Sequence, residues 1–168
     1  MKKITFIMII ATISLIIISC SDTTSPDDAN YSFILNNNTM NVADSNAASL
    51  KFENIDDLFV FSAEMVYDPN MIEIEPEYFS IGSIWNNQEI YQWHFDSDSI
   101  FSMCIGLKQS DTEDIITGSG KVMSIEFVAK AIGNTDMELK NINVLDENGQ
   151  TCEGFENIED LTVNIEVN

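Results

Sequence analysis

The chain has 168 residues, with 28 Asp and Glu against 7 Lys and Arg, one histidine and a net charge of −21. No arginine occurs, so the chain offers no guanidinium fork for phosphate, and its acidity repels nucleic acid and anionic headgroups. Nucleic-acid and nucleotide binding are thereby excluded, and a single imidazole rules out a three-histidine zinc site.

Residues 1–19 read as a signal peptide: Lys2 and Lys3 precede an apolar run over residues 4–18, about 15 residues long and short of the roughly 20 that span a bilayer. The segment ends in Ile17-Ile18-Ser19-Cys20, which resembles the lipobox of bacterial lipoproteins. The resemblance implies acylation of Cys20, which becomes the mature N-terminus. Such a protein is lipid-anchored at the cell envelope, outside the cytoplasm, on the outer membrane or cell surface. Without Lys2 and Lys3, the remaining five basic residues face 28 acidic ones, a net of −23. Residues 20–30 are small, polar and acidic and read as a flexible tether, leaving residues 31–168 as one domain. Cys104 and Cys152 are then the remaining thiols. An even count permits a disulfide in an oxidising compartment, while Cys104 could equally be a small buried hydrophobe in its strand.

Beyond the tether, short runs rich in Ile, Val, Phe, Tyr and Trp alternate with Asn, Asp, Gly and Ser clusters, the pattern of strands and turns. Nine strands are expected, over residues 31–35, 47–53, 58–67, 71–79, 88–95, 99–107, 120–131, 135–144 and 161–167. A single helical turn could hide in 55–58 or 155–161. Parity assigns faces. Phe59, Phe61, Ala63, Met65 and Tyr67 face the core, with Ser62 and Glu64 outward. Met123, Ile125, Phe127 and Ala129 form the inner set of the seventh strand, and Met137 and Leu139 that of the eighth. Covering each inner set takes a second sheet, so the expected fold is all-β, a two-sheet sandwich, with a closed barrel as the alternative. Asp68-Pro69-Asn70 makes a corner, because Pro69 donates no hydrogen bond and restricts Asp68 to extended backbone. Gly118-Ser119-Gly120, Gly133-Asn134 and Asp146-Glu147-Asn148-Gly149 supply further breaks.

Taken together, Tyr67-Asp68-Pro69 followed by Met71-Ile72-Glu73-Ile74, the run from Gly118 to Gly133 and the run from Met137 to Gly149 resemble the cohesin domain. That is the dockerin-binding receptor module of cellulosome scaffolds. The resemblance implies a nine-stranded jelly-roll β-sandwich, a fold shared with carbohydrate-binding modules. It also implies a partner bound on the outer face of the sheet holding the third, fifth, sixth and eighth strands. By strand order and parity, those outward positions are Ser62, Glu64, Gln92, His94, Ser102, Cys104, Glu138 and Lys140.

Other constellations are weaker. Trp85, Tyr91 and Trp93, beside Asn86, Asn87 and Gln88, would make a sugar platform if the rings were exposed in a row. Tyr91, Trp93 and Phe95 also share one parity and could be core, which leaves Trp85 as the ring expected in a loop and exposed. Asp146-Glu147-Asn148-Gly149 lacks the ligand spacing of a calcium loop and reads as a turn. Asn36-Asn37-Asn38-Thr39 reads as a loop, and its glycosylation sequon carries little weight in a bacterial lipoprotein. No metal or other cofactor is expected. The sequence points to a non-catalytic, membrane-anchored module that binds a protein partner, a dockerin-like protein. The alternative is a carbohydrate-binding lipoprotein of the related fold, serving polysaccharide capture or breakdown.

Overall fold

The structure, a computed structural model, describes residues 29–86, 89–108 and 115–168. The expected signal peptide, Cys20 and the tether up to residue 28 lie outside the described residues. Eleven strands form two sheets: β1 (Asn30–Leu35), β2 (Thr39–Met40), β3 (Ser45–Leu58), β4 (Val60–Tyr67), β5 (Ile72–Glu73), β6 (Phe79–Ile81), β7 (Glu89–Ser97), β8 (Ile100–Leu107), β9 (Ile116–Ala129), β10 (Gly133–Leu145) and β11 (Leu161–Val167). One sheet runs β1-β3-β9, with β5 and β6 both on the far edge of β9; the other runs β2-β11-β10-β4-β8-β7. Among the described residues only the β2–β11 pairing is parallel. The architecture is the jelly-roll sandwich expected from the sequence, with the short β2 added and the expected strand 71–79 divided.

That division follows from Pro76, whose missing N–H cannot serve a ladder. β5 stops after Glu73, a 3-10 turn spans Pro76–Tyr78, and β6 rejoins β9. A second 3-10 turn spans Ser83–Trp85. The helical turns therefore occur here, and neither in 55–58 nor in 155–161. The apolar spacing at Phe52, Ile55 and Leu58 has another cause. The register of β3 against β9 shifts between Phe52 and Ile55 and again between Ile55 and Leu58, and Asn54 and Asp57 take left-handed backbone (φ 54° and 59°). Each bulge inserts residues, so all three apolar side chains point inward and are buried.

The core lies between the sheets. Phe61, Ala63, Met65 and Tyr67 of β4, Met123, Ile125, Phe127 and Ala129 of β9, and Met137 and Leu139 of β10 are buried on the expected parity. Removing each large side chain from water is worth about 1.5–3 kcal/mol. On β9, Val122 and Ser124 are buried as well, against parity. The segment after β6 folds over them: Gly82 N and Trp85 Nε1 each donate to Val122 O at 2.9 Å. Ser124 shares a 2.9 Å hydroxyl contact with Ser49 and reaches Ala48 O at 3.2 Å, which satisfies both buried hydroxyls. The corner after β4 is held by Asp68, whose Oδ1 accepts from Asn70 N and Asn70 Nδ2, each at 2.9 Å, and by Lys130 Nζ donating to Pro69 O at 2.7 Å.

Gly82 tests this closure. A Cβ there would lie 1.9 Å from Lys121 O and 2.3 Å from its carbonyl carbon. Gly82→Ala is expected to destabilise the fold by about 1–3 kcal/mol, read as a lowered urea midpoint with an unchanged m value.

Candidate functional site

The outer face of the second sheet brings together all eight outward positions expected from the sequence, and its registry orders them. Lys140 pairs with Glu64, Glu64 with Ser102 and Ser102 with His94, one row across β10, β4, β8 and β7. The adjacent row is Asn143, Ser62, Cys104 and Gln92. Glu138 opens the next row, beside Val66 and Ile100. On the opposite flank stand Leu145, Val60, Gly106 and Ile90. Two polar rows are thus bordered by partly apolar ones, at about 7 Å per row along the strands. This is an outer sheet face of mixed chemistry.

Hydrogen bonds hold its side chains in place. Asn141 Nδ2 donates to Glu64 Oε2 at 2.7 Å, and Asn143 Nδ2 donates to Asn141 O at 2.9 Å and Ser62 Oγ at 3.3 Å. Lys140 Nζ meets Glu138 Oε2 at 2.6 Å, and this bond raises the ammonium's pKa. His94 Nε2 lies 2.6 Å from Asp96 Oδ1, while Ser102 donates its hydroxyl to the other oxygen of that carboxylate. The Ser102 hydroxyl, with help from His94, holds the Asp96 carboxyl below its usual range. The order is serine, aspartate, histidine, which differs from the nucleophile, imidazole, carboxylate order of a catalytic triad.

Asn141, Asn143 and Asp96 belong to this face and were not expected from the sequence. The register of β10 against β4 shifts between Lys140 and Asn143, and Asn141 has φ 51°. Asparagine tolerates that left-handed conformation, so Asn141-Ile142-Asn143 interrupting the alternation was the available signal. Asp96 sits at the shift between Phe95 and Ser97, where parity gives no guidance.

The aromatic residues depart from the expected platform. Trp85 is not an exposed loop ring: it is fully buried, in the 3-10 turn that covers Val122. Its indole N–H found a carbonyl, which removes the cost of burying it. Trp93 stacks on Phe101 at 5.9 Å and Phe95 meets the same ring edge-on at 5.1 Å, both on the core side of β7. Tyr91 shares their parity yet is 57% exposed, on the edge strand of its sheet, with the Phe79 ring 6.5 Å away. The three rings form no exposed row.

The possible disulfide is also corrected. Cys104 and Cys152 are both free, Cys104 exposed on the outer face rather than buried, and Cys152 packed in the core. Parity explains this: Cys104 pairs with Ser62 and Gln92 on the outward row, with the sheet between it and Cys152. Burial pushes the Cys152 thiol up to about 11, aided by Asp146 and Asp57, and its Sγ reaches Asp57 O at 3.8 Å. Among the described residues no group of three His, Cys, Asp or Glu side chains is placed to hold a metal ion. At pH 8 a maleimide is expected to modify Cys104 of the chain beginning at Ser21 within minutes, and Cys152 only after denaturation, as read by intact mass and peptide mapping.

No family model matches the sequence, and no curated protein matches it. Solved structures do. A type II cohesin domain from the cellulosome of Acetivibrio cellulolyticus superposes with a TM-score of 0.68 at 16% identity, over 81% of this chain and 95% of that one. A non-cellulosomal cohesin from the archaeon Archaeoglobus fulgidus gives 0.63 at 15% identity, over 83% and 91%. A chain from a type I cohesin–dockerin complex of Clostridium thermocellum gives 0.65 at 14% identity, over 83% and 99%. The likeness is one of backbone rather than of side chains, and by it the chain has the cohesin fold.

Proposed function

We propose that this chain is a non-catalytic protein-binding module. It engages a dockerin-like partner through the outward rows of β10, β4, β8 and β7, and a lipid on Cys20 holds it at the cell envelope. One observation carries the proposal: Lys140, Glu64, Ser102 and His94 fall in a single row, with Ser62, Cys104 and Gln92 in the next. Eight positions chosen by parity therefore share one continuous face. Structures of the same fold include cohesin–dockerin complexes from Acetivibrio cellulolyticus and Clostridium thermocellum. The polar rows would supply orientation and the flanking Val60, Ile90, Val66 and Ile100 the desolvated contacts. No cofactor is required. The carbohydrate alternative loses its main ring with Trp85 in the core.

The test is a pull-down from the producing organism's exported proteins with the chain beginning at Ser21, alongside a glycan array. Retention of a dockerin-bearing protein and silence on the array are expected. Ser102→Trp, at the centre of the face, should weaken that capture about thirty-fold or more, the scale of a lost hot spot, without moving the thermal midpoint. Glycan binding without protein capture would overturn the proposal. In the full chain, Cys20→Ser is expected to shift the protein from the membrane to the soluble fraction, and membrane retention of that variant would exclude the lipid anchor.

A further inference from the structure

β7 closes one margin of the second sheet, and among the described residues it pairs only with β8. The other margins are guarded. β2 has two residues, β5 and β6 have two and three, and β1 packs beside β11. β7 has nine residues and runs in unbroken register with β8 from Glu89 to Phe95. It contains neither lysine nor proline, the residues that commonly blunt an open edge. Ile90 and Tyr91, next to each other on opposite sides of the strand, are each 57% exposed. Between Glu89 and Phe95 this is a long, aromatic edge that no other strand among the described residues covers, a template for strand addition.

Charge decides what can add to it. Glu89 stands at one end of the edge, and its Oε2 is withdrawn from water with no hydrogen-bond partner among the described residues. Asp96 and Asp98 are exposed at the other end. A second copy of this chain would bring another net charge of −21, and the chain's own segment 20–30 carries Asp22, Asp27 and Asp28, so both are repelled. We infer that β7 is a second binding edge, at which an extended, lysine- or arginine-bearing segment of another protein adds as a further antiparallel strand. Opposite Glu89–Phe95 it spans about 24 Å at about 3.4 Å per residue. It presents an apolar residue beside Tyr91 and a cationic one at Glu89. This site uses the strand's open backbone side rather than the outward rows, and it stands whether or not a dockerin occupies them.

The test uses the chain beginning at Ser21, which holds every residue of the described core, and a fluorescent acetylated heptapeptide of alternating threonine and valine between two terminal lysines. Binding by anisotropy is expected, with at least ten-fold slower hydrogen exchange at the solvent-directed amides of Glu89–Phe95. Replacing the lysines by glutamates should weaken binding at least ten-fold, as should Tyr91→Lys in the protein. Glu89→Lys should reverse the preference between the two peptides, with both variants keeping the thermal midpoint and the dockerin capture of the parent chain. Absence of binding, binding without protection of β7, equal affinity for the two peptides, or dimerisation of the chain through β7 would each overturn the inference.

Discussion

The inward set of three central strands, β10, β4 and β8, constrains everything else. Met137 and Leu139 on β10, Phe61, Ala63 and Met65 on β4, and Phe101, Met103 and Ile105 on β8 are buried and aligned by cross-strand pairing. Side chains on a strand alternate, so a one-residue slip would put this whole set in water and the carboxylates in the core. Burial therefore sets the register, and register sets which outward side chains are neighbours. The polar rows are the other face of the hydrophobic core.

Two departures from strict alternation complete the sandwich. In β3, the bulges at Asn54 and Asp57 keep Phe52, Ile55 and Leu58 inward as the strand bends. Phe52 then meets Phe61 at 6.0 Å, joining the sheets through an edge-on aromatic pair. Beside β9, the turn carrying Trp85 lays its backbone over Val122 at Gly82, an approach too close for any side chain. In β10, the bulge at Asn141 serves the outer face instead, turning an amide onto Glu64. The same irregularity closes the core in one place and orders the outer face in another.

These differences explain what the sequence disclosed. Parity placed Ser62, Glu64, Gln92, His94, Ser102, Glu138 and Lys140 on one face, because buried strands with clean alternation leave no choice. It failed where the period changes. Asn141 and Asp96 lie at register shifts, and the spacing of Phe52, Ile55 and Leu58 imitates a helical turn while belonging to a bulged strand. Trp85 stood outside every strand, so its burial depended on a close approach that only Gly82 permits and that no local pattern records. Composition allowed the pairing of Cys104 with Cys152, and opposite orientation across the sheet prevents it.

The described residues thus combine a two-sheet sandwich, a polar face fixed by register and an aromatic edge strand. Its acidity fits partners that carry positive charge, and its one histidine is bound to Asp96 on the face itself. The claim that most of this depends on is that a partner docks on the outward rows of β10, β4, β8 and β7. Hydroxyl-radical footprinting of the chain with its captured partner tests it most directly. Protection of Cys104, His94 and Ile100, with Ile34 and Lys51 on the opposite sheet unchanged, is the predicted result. Protection of Ile34 and Lys51 with Cys104 and His94 unchanged would contradict it.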